Sequence, residues 1–95
     1  MSLSAQVGRV VVSKAGRDKN KVFMIVEIVD EQFVYIADGD LRRLSHPKKK
    51  KVKHLEMKPE VLEGLKDKLL NGKKVFDAEL RSAIHTLCDS EKACP

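Results

Sequence analysis

Aromatic residues are scarce in this 95-residue chain: Phe23, Phe33, Tyr35 and Phe76 make 4%, and there is no tryptophan. Cysteine is scarcer still. Two thiols, Cys88 and Cys94, cannot build the disulfide framework of a small secreted scaffold, and in a reducing compartment they stay thiols. Long apolar runs are missing as well. The longest, Val22 to Val26, falls far short of the ~18 residues that a membrane span needs. Met1 to Val12 has no basic segment leading into a long apolar stretch, so it does not read as a signal peptide. Nor does the chain carry a phosphate-binding G-x-x-x-x-G-K-[ST], an H-E-x-x-H or a nucleophile elbow. His46, His54 and His85 have no evident nucleophile and orienting acid beside them. A small cytoplasmic binding domain remains, not an enzyme, with no cofactor implied and no membrane partner.

One metal reading is open, because His85, Cys88 and Cys94 fall close together. Their spacing, H-x2-C-x5-C, matches no familiar zinc pattern, and a tetrahedral site needs a fourth ligand. We therefore assign no metal site, and read Cys88 as a small core residue and Cys94 as part of a frayed tail.

What the chain has is charge, unevenly spread. Charged residues are 35% of the total and the net charge is +5. Residues 1–58 carry +6, whereas residues 59–95 carry −1. Within residues 41–58, Arg42, Arg43, Lys48, Lys49, Lys50, Lys51, Lys53 and Lys58 face a single acid, Glu56. Such a block repels itself and costs stability unless solvent or a polyanion screens it. A solvated loop is the plain reading of the lysine run.

The first half reads as strands. Val7–Ser13 is short and β-branched, and a turn cluster spans Gly16–Asn20. Val22–Val29 and Phe33–Ala37 follow, with Asp38-Gly39 as a turn. Shorter extended pieces are expected at Leu41–Leu44 and Val52–Leu55. Short strands joined by tight turns suggest a small closed barrel over about residues 6–57. At Pro59 the pattern changes. Proline suits a first helical turn, Leu62, Leu65 and Leu69 share a face with Val61, and Asn71-Gly72 closes the helix. Asp77 is the expected N-cap of a second helix. Its residues Leu80, Ala83, Ile84, Leu87 and Cys88 form a one-sided stripe. The fold expected is a single domain, mainly β, with helices at 59–71 and 77–88 packed on the barrel or on each other.

Val7-Gly8-Arg9-Val10-Val11, then Gly16, then Lys21 with the apolar strand behind it, resembles a KOW motif. Ile36-Ala37-Asp38-Gly39, Arg42-Arg43 and Lys53-His54-Leu55 extend the likeness to ribosomal proteins of the large subunit, of the "L fourteen e" type. The resemblance covers roughly residues 6–60. It implies an SH3-like barrel whose loops bind ribosomal RNA. Asn20 stands where that family has a glycine before the closing lysine, and Asn is the non-glycine residue that best tolerates positive φ. The basic C-terminal extension of many ribosomal relatives is also lacking, which favours a ribosome-associated factor over a permanent subunit.

The residues support the same chemistry independently. Backbone N–H groups of a positive-φ turn can cradle a phosphate, and Arg17, Lys19 and Lys21 would add charge there. A plain surface hairpin is the competing reading of that turn. The expected RNA-binding set is Arg9, Gly16, Arg17, Lys19, Asn20, Lys21, Arg42, Arg43, Lys48, Lys49, Lys50, Lys51, Lys53 and His54. Phe33 and Tyr35 are expected to pack across strands more than to stack on bases. With so few stacking groups, folded RNA should be recognised by shape and phosphates, by a chain that is monomeric when free. A helix-turn-helix is set aside, because Asp77, Glu79 and Asp89 on the second helix would be repelled by DNA. The serious rival is a KOW-type module that docks on a ribosomal or transcription-complex protein.

Overall fold

The computed structural model describes residues 5–14, 16, 19–39 and 42–89, without the side chains of 87–89. Five strands, β1 (Arg9–Ser13), β2 (Val22–Ile28), β3 (Phe33–Ala37), β4 (Lys48–Lys51) and β5 (Leu55–Val61), form one antiparallel sheet in the order β4-β3-β2-β1-β5. A 3-10 turn, Val52–His54, lies between β4 and β5. Two helices follow, α1 (Glu63–Leu70) and α2 (Asp77–Asp89). Among the described residues no helix is long and apolar enough to cross a membrane.

Alternation along the strands divides the core in two. Val10, Val12, Val22, Met24 and Ala37 face the helices and pack with Leu65, Leu80 and Ile84. Val11, Phe23, Ile25, Val34 and Ile36 point the other way and pack with Leu55, Val52 and Met57, in a second cluster to which neither α1 nor α2 contributes among the described residues. Burial on both faces is why β1 and β2 read as unbroken apolar runs and not as alternating ones. Burying each such Val, Leu, Ile, Phe or Met stabilises the fold by roughly 1.5–3 kcal/mol, so the stripes on α1 and α2 attach both helices firmly to the sheet.

The expected strands at 22–29 and 33–37 and the second helix are present within a residue or two. Leu80, Ala83 and Ile84 face the sheet as expected. The stripe members Leu87 and Cys88 lie outside the described side chains, and the tail 90–95, with Cys94, lies outside the described residues.

Four expectations need correcting. The lysine run is not a loop: Lys48–Lys51 is an edge strand, paired to β3 with Ile36 opposite Lys48 and Val34 opposite Lys50. The extended pieces expected beside it are absent. Residues 42–44 are irregular, Leu41 lies outside the described residues, and Val52–His54 is the 3-10 turn. Pro59 does not begin a helix but sits within β5. There it is tolerated because β5 is at the sheet edge, where a missing N–H breaks no central ladder. The fourth correction concerns Asp77, which does not cap α2. Its Oδ1 accepts the Leu44 N–H at 2.7 Å and ties the 38–47 loop to the helix. The capping position falls to Phe76, whose carbonyl accepts from Glu79 and Leu80 while the Glu79 carboxylate reaches back to the Phe76 N–H. Asn71–Gly72 does end α1, with the Lys73 N–H donating to the Lys68 carbonyl at 2.7 Å.

Gly39 carries the close approach of α2 to the sheet. With φ +80°, it lies where a Cβ would stand 2.3 Å from the Asp77 carbonyl oxygen and 2.9 Å from the Arg81 nitrogen. The turn read from Asp38-Gly39 is thus also the seat of a helix. Asp38 Oδ1 closes it by accepting the Arg42 N–H at 2.9 Å.

Candidate nucleic-acid interface

β1 hands over to β2 through residues 14–21. The Ser13 N–H donates to Lys21, and the Asn20 N–H donates back to Ser13 at 2.7 Å. Among the described residues of the turn, Gly16 has φ +79° and Asn20 has φ 71°. Asn20 thus adopts the left-handed conformation that asparagine tolerates best among non-glycine residues. Lys19 and Lys21 are exposed; Arg17 lies outside the described residues.

The turn packs against the basic segment at two points. Lys50 Nζ lies 3.6 Å from where a Cβ on Gly16 would stand, and the Lys14 N–H donates to the His54 carbonyl at 2.8 Å. Residues far apart in sequence therefore share one end of the molecule because β4 is an edge strand and its 3-10 turn folds toward β1.

Antiparallel pairing sorts the four lysines of β4. Lys48 and Lys50, opposite Ile36 and Val34, are half-buried on the sheet face of the second cluster. Lys49 and Lys51, opposite Tyr35 and Phe33, are exposed on the other face. Their ammonium groups lie 4.8 and 5.8 Å from the Phe33 ring centroid, within reach of a cation–π attraction. Phe33 and Tyr35 are half-buried cross-strand partners, as expected, and Phe33 also holds two cations in place. Lysine spacing alone gave no sign of this. The signal available was the alternation of Phe33 and Tyr35 with Val34 and Ile36 along the neighbouring strand.

Arg43 is exposed and Arg42 half-buried, both in the 38–47 loop, which leaves the same end of the sheet as the 14–21 turn. Lys53 is exposed and His54 half-buried. Arg9 departs from the expected surface set. It is only 7% exposed, and its guanidinium donates to the Lys58 carbonyl at 2.7 Å, pinning β1 to β5 from within. Glu56, the only acid of residues 41–58, pairs with Lys58 at 2.6 Å. The hydrogen bond from Lys58 holds its carboxyl below the ordinary value of 4.5. That acid is thereby partly neutralised beside the basic strand.

No protein-family model matches this chain.

Proposed function

We propose that this protein binds structured RNA, ribosomal RNA first among the candidates, through phosphate contacts and with no reaction of its own. One observation carries the reading: a strand of four consecutive lysines at the sheet edge, with the Lys50 ammonium close to the KOW-like turn at Gly16. An edge strand made only of lysines repels a second strand and attracts a polyanion. Folded RNA is favoured over single strands because exposed stacking groups are few.

We read the sheet as an SH3-like barrel, the fold that the KOW resemblance implies. Connectivity supports closure. In a flat five-stranded sheet the outer strands stand about 19 Å apart at ~4.8 Å per spacing, whereas three residues of 3-10 turn advance only about 6 Å. Because β4 and β5 are the two edges and only Val52–His54 separate them, the sheet has to curl. The fully buried Val11, Phe23, Ile25, Val34 and Ile36, on the side without helices, fit the inside of such a curl.

A protein-interaction module is the second reading, favoured by Leu70 and Phe76, which are 63% and 55% exposed in the less charged half. Sedimentation with ribosomal fractions, followed by sequencing of bound RNA, separates the two. Ribosomal RNA that co-sediments with the protein and is stripped by salt supports the first. A complex that survives ribonuclease and salt supports the second.

A further inference from the structure

Beside the lysine strand lies a cleft of about 420 Å³, lined by Glu31, Gln32, Lys51, Val52 and Lys53. Its size falls within the range of small-molecule sites. Its walls are fixed by the backbone. The Val52 N–H donates to the Gln32 carbonyl at 2.7 Å, and Asp30 Oδ1 accepts the N–H groups of Gln32 and Phe33 at 2.8 and 2.9 Å. These bonds hold the β2–β3 turn against the 3-10 turn before any ligand arrives. Lys51 belongs both to the cleft and to the Phe33 cluster, where the ring restrains its ammonium group.

The lining suits a nucleotide more than a phosphate alone. Lys51 and Lys53 supply two cations at the rim, and Lys49 a third nearby over Phe33. Val52 gives an apolar wall for a base plane, and the Gln32 amide can both donate and accept at a base edge. Glu31 has the wrong charge for phosphate, but it is a suitable acceptor for the exocyclic amino group of adenine, cytosine or guanine. A fully paired helix cannot place a base there. An unpaired one can be turned out into the cleft while its phosphate stays on the lysines.

We infer that this cleft holds one unpaired, amino-bearing nucleotide of the bound RNA, with the base between Gln32 and Val52 and its phosphate on Lys51 and Lys53. The inference rests on the RNA-binding reading above. Its test compares the full chain on three RNA hairpins: fully paired, with one bulged adenosine, and with an abasic residue in the bulge. The bulged adenosine should bind roughly tenfold tighter than the paired hairpin, the scale of base-edge hydrogen bonding, and the abasic bulge should not. Gln32→Ala should bring that ratio close to one while leaving affinity for the paired hairpin unchanged. Glu31→Ala should bring it close to one while raising affinity for the paired hairpin, since an acid beside Lys51 and Lys53 is removed. Equal wild-type affinity for adenosine-bulged and paired RNA overturns the cleft and leaves phosphate binding standing. A preference that persists in both variants, or that the abasic bulge shares, also overturns it. Binding to none of the three overturns the RNA reading itself.

Discussion

Gly16 and Lys50 meet across the molecule: the Lys50 ammonium lies 3.6 Å from the position that a Cβ on Gly16 would take. That distance is ordinary contact, so a small side chain fits the space, and what forbids it is the backbone. At φ +79°, an L-residue costs about 1–2 kcal/mol. Gly16→Ala should lower stability by about that amount in urea titrations. Gly39→Ala should cost more, because its Cβ would strike the backbone of α2 at Asp77 and Arg81, which cannot rotate away as a lysine can. Asn20→Gly should change stability by only a few tenths of a kcal/mol, and Asn20→Val should destabilise. Equal losses for Gly16→Ala and Gly39→Ala would contradict this account of α2 docking.

The alternation along β4 predicts two classes of lysine. Lys49→Ala and Lys51→Ala should leave the melting temperature nearly unchanged and weaken RNA binding. Lys48→Ala and Lys50→Ala should also lower stability, by about 1 kcal/mol, because their half-buried stems share a sheet face with Ile36 and Val34. Replacing all four, which would be silent for Tm in a solvated loop, should now lower it visibly, because the half-buried stems of Lys48 and Lys50 are lost. Thermal melts of the two double variants check this. Indistinguishable Tm values would contradict the sorting.

Much of this was legible in the sequence, and the gaps have physical causes. Val22–Ile28 and Phe33–Ala37 announced themselves by β-branched content, and α2 by its stripe at helical spacing. Lys48–Lys51 gave no such sign. A strand of one residue type has no hydrophobic alternation, and only the partners Val34 and Ile36 decide which lysines turn inward. Pro59 misled because proline suits both a helix start and an edge strand, and the choice depends on where β5 lies in the sheet. Arg9 belongs to the expected RNA-binding set, whereas its guanidinium is buried and bonded to the Lys58 carbonyl, which its position in the sequence did not announce. Asn20 could be read correctly because positive φ is a local property of the turn.

Helices α1 and α2 are joined by Lys68 and Glu79 at 2.5 Å. The hydrogen bond from Lys68 holds the Glu79 carboxyl below its ordinary value of 4.5. A lowered carboxylate contributes stability that is present above the unfolded value and is lost as pH falls through the folded one. Below about pH 4.5 the wild type should therefore lose stability more steeply than Glu79→Gln, and the two should run parallel above it. Melting temperatures across pH 3–6, at low and high salt, read this directly. Acid limbs of equal steepness would remove the pair from the account.

The central claim is that binding is made by phosphates on the lysine edge, and its most direct measurement is the salt dependence of RNA affinity. With about five or six cations engaged, log K should fall against log[salt] with a slope of roughly −4 to −5. The double variant Lys49→Ala, Lys51→Ala should flatten that slope by about 1.5–2, at unchanged Tm. An affinity independent of salt, or a double variant that binds as tightly as the wild type, would contradict the claim and leave protein docking as the better account.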